Sequence, residues 1–429
     1  MRAERTPREV VVGGRDDSLP DAPIAIVNAR LVLRDRVEEG CRLDIAGGRI
    51  VGLGDDRPET GAPVVVLDAK GAYVLPGLID VHNDGLEFEV NPRPGTNLPL
   101  PLALTNFERQ ALGAGVTTVF HALSFANRPD LGRSVGSAWE RAAFIQQQQR
   151  RPVDHHVLHR FDVWSPDTLD PIFESMAKLP VRYLSLNDHT PGQGQYRDFA
   201  KHLERLAAYR ERRLVGDIDP DELRRRMEER QRAVADGWLE GIYRAVAARR
   251  AALPCIVGTH DDDSPEKVDA QAAIGATIAE FPVTREAARQ ARRRGMAIVV
   301  GAPNIVRGGS HSGNLSAVEL IAEGLADIIC ADYHAASLLP ALLRLVDDGL
   351  CSLPEAVAMV TANPASALGL TDRGILAVGK RADVVIVRRE TSVPIVEAVF
   401  SAGRLVYTYS GRAPEPLRRE AAQEVSRGS

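Results

Sequence analysis

Between residues 73 and 332 the sequence repeats one pattern: a short apolar run, followed in most cases by a stretch with helical spacing. Alternating strands and helices predict a parallel sheet, and eight repeats predict a closed α/β barrel of the (β/α)8, TIM type. A chain of 429 residues can devote most of its length to one such barrel with insertions. The predicted barrel strands lie at residues 73–84, 116–121, 155–162, 181–189, 255–260, 276–280, 296–301 and 326–332.

Both ends of the chain carry a different pattern. Short alternating segments with glycine turns occur between residues 24 and 67 and again between residues 383 and 407. Such segments are typical of antiparallel β structure. We therefore predict a small β-sandwich domain formed by residues 22–72 and 373–413, a barrel formed by residues 73–372, and mobile polar tails at residues 1–21 and 414–429.

One connection within the barrel is longer than the others. Residues 192–252 are rich in Arg, Glu and Ala with helical spacing, and they are about twice the usual length of a connection between strands. This pattern predicts an inserted helical hairpin. Because it leaves from the end of a strand, where barrel active sites form, it could be a lid; solvated helices that extend the outer ring explain it equally well.

Composition limits the function classes. The formal net charge of −5 argues against a general nucleic-acid-binding protein. The four cysteines are scattered without a Cys-x-x-Cys pair, which indicates reduced thiols. Residues 1–18 contain no apolar signal-peptide core, and no run approaches the roughly 20 apolar residues of a membrane span. We therefore expect a cytoplasmic protein without a membrane partner; a homo-oligomer is compatible with the sequence.

Polar residues stand at the carboxyl ends of several predicted strands. A barrel takes its catalytic groups from such positions, and imidazole and carboxylate are ligands for Zn, Mn or Fe. Each residue alone is more often a solvated polar group than a ligand, but their joint placement favours a site for one or two divalent ions, with Zn expected. The candidate ligands are His82, Asp84, Asp162, His189, His260 and Asp332. If two ions are bound, Asp84 and Asp188 are alternatives to Asp162 as the carboxylate that bridges them.

A second cluster follows the seventh predicted strand, at residues 301–314, and precedes a predicted helix at Ser316. Its glycines allow close backbone approach and its polar side chains supply donors, which favours an anion site over a ligand-free glycine-rich turn. A further candidate for an anionic substrate is Arg93, in a proline-rich segment. The candidates in the cluster are Arg307, Gly308, Gly309, Ser310 and His311.

The segments 75–82 and 379–387, together with the histidines at strand ends, resemble the amidohydrolase superfamily. Within it, the chain is similar to the α-D-ribose 1-methylphosphonate 5-triphosphate diphosphatases of the carbon–phosphorus lyase pathway. The shared segments are residues 82–87, 92–94, 184–193, 259–262, 278–282, 301–314, 332–333 and 336–339.

The resemblance implies a metal-dependent hydrolase that acts on a small phosphorylated substrate. It would release pyrophosphate from the 5-triphosphate and leave the ribose phosphonate intact, with Asp332 accepting the proton of the attacking water. Most amidohydrolases have His-x-His where this chain has His82 and Asp84, and a modified Lys or a Glu where Asp162 stands. The alternatives are a cyclic-amide hydrolase or deaminase, against which the Arg- and Gly-rich loop argues, and a metal-free scaffold protein.

Overall fold

The computed structural model describes most of the chain between residues 22 and 420. His189, Ser310 and His311 lie outside the described residues, as do Pro94, the predicted amino-terminal tail and all of the predicted carboxyl-terminal tail except residues 417–420, which form a strand. The described residues are 22–54, 64–93, 95–127, 133–148, 151–188, 190, 193–194, 203–204, 219–309, 315–389, 393–409 and 417–420.

The described strands and helices are as follows. The strands are β1 (Ile24–Val32), β2 (Val37–Ala46), β3 (Arg49–Leu53), β4 (Val64–Asp68), β5 (Tyr73–Pro76), β6 (Leu78–Asn83), β7 (Val116–Phe125), β8 (Asp154–Asp162), β9 (Tyr183–Asn187), β10 (Ile256–His260), β11 (Ile278–Glu280), β12 (Ala297–Gly301), β13 (Ile328–Cys330), β14 (Val384–Arg388), β15 (Ile395–Ser401), β16 (Arg404–Thr408) and β17 (Leu417–Glu420). The helices are α1 (Gly85–Val90), α2 (Leu100–Gly113), α3 (Val135–Gln147), α4 (Leu169–Met176), α5 (Pro220–Ala235), α6 (Trp238–Ala252), α7 (Pro265–Ala273), α8 (Arg285–Arg293), α9 (Ala302–Arg307), α10 (Ala317–Ala322), α11 (Leu338–Asp347), α12 (Leu353–Ala358) and α13 (Ala362–Ala367).

Strands β6 to β13 form one eight-stranded sheet in which each strand pairs in parallel with the next. A parallel bridge between Asn83 and Asp332 joins its first and last strands, so the sheet is a nearly closed barrel. The predicted (β/α)8 barrel is confirmed, and its eight strands are the eight that the sequence indicates. Apolar side chains from seven of these strands pack into one buried cluster, as a filled barrel interior requires.

The two chain ends form a separate nine-stranded sheet from β1–β5 and β14–β17, as expected. Strand β5 belongs to this sheet, because it pairs with β14 and β1, whereas the barrel begins at Leu78. The predicted barrel strand at residues 73–84 is therefore two strands. The separation occurs at Pro76 and Gly77, where the Gly77 amide donates to the Asp383 carbonyl at 2.8 Å.

The long connection contains helices α5 and α6 among its described residues. Helix α6 buries Ile242, Tyr243 and Val246 in the main core, so it serves as a barrel helix. Helix α5 is charged and mostly exposed. Trp238 stacks on Trp164, with ring centroids 5.5 Å apart, and thereby fixes the start of α6 next to the end of β8. None of the helices among the described residues is long and apolar enough to cross a membrane.

Candidate active site

Imidazoles and carboxylates that are buried or half-buried meet at the carboxyl end of the barrel. His82 lies in β6, His260 ends β10, Glu280 ends β11, and Asp332 follows β13. Parallel strands in a closed sheet bring these ends to one face. Candidate ligand atoms of His82, His260 and Glu280 lie within 4.8 Å of one another, as do those of His82, Asp84 and Asp332. His82 is common to both groups and is 1% exposed.

Glu280 is fully buried at the centre of the first group. Its carboxylate accepts hydrogen bonds from the Tyr183 and Ser185 hydroxyls, both at 2.7 Å. Burial opposes ionisation of this carboxyl, but His82, His260 and the Tyr183 hydroxyl outweigh it and lower the pKa of Glu280 to about 2. Glu280 is not among the candidates predicted from the sequence, although it has the same signal as the other candidates, a polar side chain at the end of a predicted barrel strand.

Asp84 and Asp332 form the second group with His82. The Asp332 amide donates to the His82 carbonyl at 3.0 Å, and the Asp84 amide donates to the Asp332 carbonyl at 2.7 Å, so the backbone itself holds these residues together. Burial and the charge of Asp84 raise the pKa of Asp332 to about 6. Burial opposes ionisation of Asp84 also, but the Arg160 guanidinium, 3.2 Å from Asp84 Oδ1, lowers the pKa of that carboxyl.

The residues present fit a divalent metal ion. The donor set is two imidazoles and three carboxylates, which suits Zn, Mn or Fe. The buried Nδ1 atom of His82 lies 3.3 Å from Glu280 Oε2 without hydrogen-bond geometry. Two atoms bound to one tetrahedral Zn ion, each at about 2.0–2.1 Å, lie about 3.3 Å apart, so this spacing suits a shared metal ion. These groups can therefore hold a metal.

A cavity of about 520 Å³ opens above these residues. Two guanidinium groups contribute to its wall: Arg160, whose side chain is 11% exposed, and Arg307, which is exposed. Phe88 and Tyr333, 57% and 42% exposed, are apolar parts of the same wall. The cavity thus combines a buried group of candidate metal ligands with positive charge and room for a substrate of moderate size.

Other predicted site residues lie elsewhere or outside the described part. His189, Ser310 and His311 are outside the described residues. Asp162 ends β8, but its carboxylate accepts from the Trp164 amide at 3.0 Å and belongs to neither described group of candidate ligands. Arg93 is exposed and is not part of the cavity wall.

The glycine-rich segment differs from the expected anion loop. Its first part is a helix, α9, which ends at Arg307, and Gly308 follows in the left-handed conformation with φ of 82°. The Gly308 and Gly309 amides donate to the Asn304 carbonyl at 3.1 and 3.0 Å. Because these donors terminate a helix in the manner of a C-cap, the Gly308 and Gly309 amides are paired within the chain. That these two glycines allow an anion to approach closely stays a prediction.

The fold and the site define a (β/α)8-barrel protein with a candidate metal centre at the carboxyl face of the barrel. Residues 186–408 match the sequence profile of the amidohydrolase family. Together with a full-length relative at 36% identity, this match shows that the chain belongs to the amidohydrolase family.

That relative is the α-D-ribose 1-methylphosphonate 5-triphosphate diphosphatase of Escherichia coli K12, 36% identical over 390 residues, which cover 89% of this chain and 100% of the relative. Adenine deaminase 3 of Rhizobium meliloti is 26% identical over 402 residues, covering 90% of this chain but 58% of the deaminase. A crystal structure of an amidohydrolase superposes with a TM-score of 0.60 at 16% identity, covering 90% of this chain and 100% of that structure. The last comparison supports the fold alone.

Proposed function

We propose that this protein hydrolyses α-D-ribose 1-methylphosphonate 5-triphosphate to the 5-phosphate and pyrophosphate, in phosphonate catabolism. The observation that carries the proposal is the 36% identity to the Escherichia coli diphosphatase across that enzyme's whole length. The cavity supports it, because a small phosphorylated substrate needs the positive charge that Arg160 and Arg307 supply beside the buried carboxylates.

In the proposed reaction a water molecule attacks the α-phosphorus, and the bond to the oxygen that bridges to the β-phosphorus breaks. His82, His260, Glu280, Asp84 and Asp332 would hold one or two divalent ions, with Zn expected and Mn or Fe as alternatives. When bound, such an ion lowers the pKa of water and neutralises negative charge on phosphoryl oxygens.

The residues of the chain have distinct proposed roles in this reaction. The Asp332 carboxylate is the proposed acceptor of the proton from the attacking water, because it lies in the cavity wall beside His82 and Asp84. Arg307 contributes to the same wall and is proposed to bind the phosphate groups, together with Ser310 and His311, which follow it closely in sequence. Arg93, which is exposed, would contribute only to a substrate that extends out of the cavity.

Phosphorus NMR of the product mixture tests the proposal. The purified protein, reconstituted with zinc or manganese, is incubated with the ribose phosphonate triphosphate. The expected products are pyrophosphate and the 5-phosphate, with the phosphonate resonance retained. Release of single phosphate groups, or no change with either metal, would contradict the proposed reaction.

Deamination is a second candidate, favoured by the 26% identity to an adenine deaminase. The same preparations are therefore assayed for ammonia release from adenine and for ring opening of a cyclic imide. Ammonia or ring opening without pyrophosphate release would assign the protein to this second reaction class.

A further inference from the structure

Arg160 occupies an unusual position for a buried cation. It lies in β8 and reaches the cavity wall beside the candidate metal ligands His82, Asp84 and His260. Its side chain is only 11% exposed. A divalent cation bound at this site would repel a second positive charge nearby, so the presence of a guanidinium here requires a physical explanation.

Two of its nitrogen atoms are fixed by the protein. Nη1 lies 3.2 Å from Asp84 Oδ1 and Nε donates to Asn187 Oδ1 at 3.1 Å. Asn187 is itself held, because its side-chain amide donates to the Ser185 carbonyl at 2.9 Å. Within the described part of the chain, Nη2 makes no hydrogen bond. The fold therefore orients the guanidinium through Nε and Nη1, while Nη2 remains available for another acceptor.

The charges around Arg160 indicate what that acceptor is. Asp84, Glu280 and Asp332 place three carboxylates around His82 and His260, and these can be offset by one or two divalent ions. A substrate with several phosphoryl charges adds further negative charge to the same space, whereas a neutral amide adds none. A guanidinium recognises phosphoryl oxygens with two or more directed donors, and orienting it beforehand reduces the entropy cost of binding.

We propose that Arg160 is a specificity-determining residue, which binds a non-bridging oxygen of the substrate phosphoryl group through Nη2 and so selects phosphorylated substrates over neutral amides. This inference rests on the proposed diphosphatase function, but it concerns anion binding and not the bond that is cleaved. The opposing explanation is that Arg160 acts only through Asp84, by neutralising a metal ligand.

The test measures two affinities without turnover: that of the metal-loaded protein for pyrophosphate and that of the metal-free protein for zinc. Binding of pyrophosphate is measured by calorimetry, and binding of zinc is measured by competition with a chromophoric chelator. Arg160→Gln is expected to weaken pyrophosphate binding about 10- to 100-fold, the range for a lost charge-assisted hydrogen bond, while zinc affinity does not fall, because removing a neighbouring positive charge does not weaken cation binding. Arg249→Gln removes a half-exposed guanidinium, which is paired with Asp170 and is not part of the cavity wall, and serves as the control with unchanged pyrophosphate binding.

Each other result overturns the inference. Unchanged pyrophosphate affinity shows that Arg160 does not bind the phosphoryl group, and a parallel loss of both affinities shows that it acts through Asp84. If Arg160→Gln does not fold, Arg160→Lys keeps the charge but lacks the planar fork, and it must still weaken pyrophosphate binding at unchanged zinc affinity. Failure of the diphosphatase proposal is seen separately, as wild-type protein that binds pyrophosphate but releases none from the triphosphate.

Discussion

Asp332 combines three features at one residue: a φ of 56°, a half-buried carboxylate, and backbone hydrogen bonds to His82 and Asp84. A left-handed conformation at a residue other than glycine is uncommon and occurs often at functional positions. Asp332→Asn keeps the shape and the backbone contacts but removes the proton acceptor. We expect the rate of pyrophosphate release to fall about 10²- to 10⁴-fold, the usual contribution of a general base. A rate within threefold of wild type, measured at equal bound metal and equal melting temperature, would show that Asp332 is not the proton acceptor.

Glu280 is expected to control metal affinity. Its two oxygen atoms are oriented by the Tyr183 and Ser185 hydroxyls, and one lies 3.3 Å from His82 Nδ1. Glu280→Gln removes the negative charge, so zinc affinity in the chelator competition should fall at least about tenfold. Ser185→Ala is the matched variant, because it removes one orienting hydrogen bond and keeps the charge, and its effect should be smaller. Equal zinc affinity in wild type and Glu280→Gln would show that Glu280 is not a ligand.

The sequence identifies some of these residues and not others for a geometric reason. His82, Asp84, His260 and Asp332 all stand at strand ends and do converge. Position at a strand end does not fix the direction of a side chain, however, because successive residues point to opposite faces and the chain leaves the strand there. Asp162 illustrates this, since its carboxylate caps the turn that leads to Trp164. The topology of the barrel thus brings the strand ends together, but which residues there can bind a metal ion depends on the direction of each side chain.

At the scale of elements, the strands are predictable and the short helix α9 is not. Each barrel strand is a buried apolar run, and burial on both faces gives such runs a strong sequence signal. Helix α9 contains Pro303 and Asn304 and is followed by Gly308 and Gly309, a composition typical of a loop. Pro303 is compatible with the first turn of a helix, and the glycines serve as its C-cap, so the same residues that indicate a loop form the two ends of a helix.

The junction between β5 and β6 depends on Gly77. A Cβ atom there would lie 2.2 Å from Thr117 Oγ1 and 2.8 Å from Asp383 Cβ, and both neighbours are buried. We therefore expect Gly77→Ala to destabilise the protein by about 1–3 kcal/mol, the usual cost of overpacking. Gly241→Ala is the matched control, because that helical glycine has open space around it and alanine favours helix. Unfolding in urea measures the free energy of unfolding of both variants. A Gly77→Ala protein as stable as wild type would show that this junction repacks easily.

At the scale of the whole molecule, the barrel is joined to the C-terminal segment by a half-buried ionic network. Asp154, at the start of β8, lies 2.6 Å from Arg373 and 3.1 Å from Arg381. Arg381 precedes β14 of the terminal sheet and also lies 3.1 Å from Asp383. Burial opposes ionisation of Asp154, but His156 and Arg373 lower its pKa strongly. The amino end of the barrel is thus tied to the terminal sheet by charge, while the carboxyl end holds the candidate active site.

The barrel also encloses neutral imidazoles that should set its acid stability. His159 is completely buried, and burial lowers its pKa to about 3, although the Tyr183 carbonyl opposes the shift. His121 lies 2.8 Å from His155, and burial lowers the pKa of both rings. Because a depressed histidine pKa means that the unfolded chain binds the proton more tightly, stability is complete above the unfolded value of about 6.5 and is lost as the pH falls towards the folded values.

The expected loss is up to about 1.4 kcal/mol per pH unit for each such imidazole. We therefore expect the free energy of unfolding, measured in urea, to be constant from pH 8 to 7 and to decrease steadily from pH 6 to 4.5. His159→Gln cannot titrate and keeps polar atoms near Ser175 Oγ, which lies 3.0 Å from His159 Nε2 in the wild type. Below pH 6, the free energy of unfolding of this variant should change with pH by about 1.4 kcal/mol per pH unit less than that of the wild type, whatever the absolute stability of the variant. Since protonation of the candidate metal ligands affects both proteins alike, an identical slope in the two would mean that His159 is not held neutral by the fold.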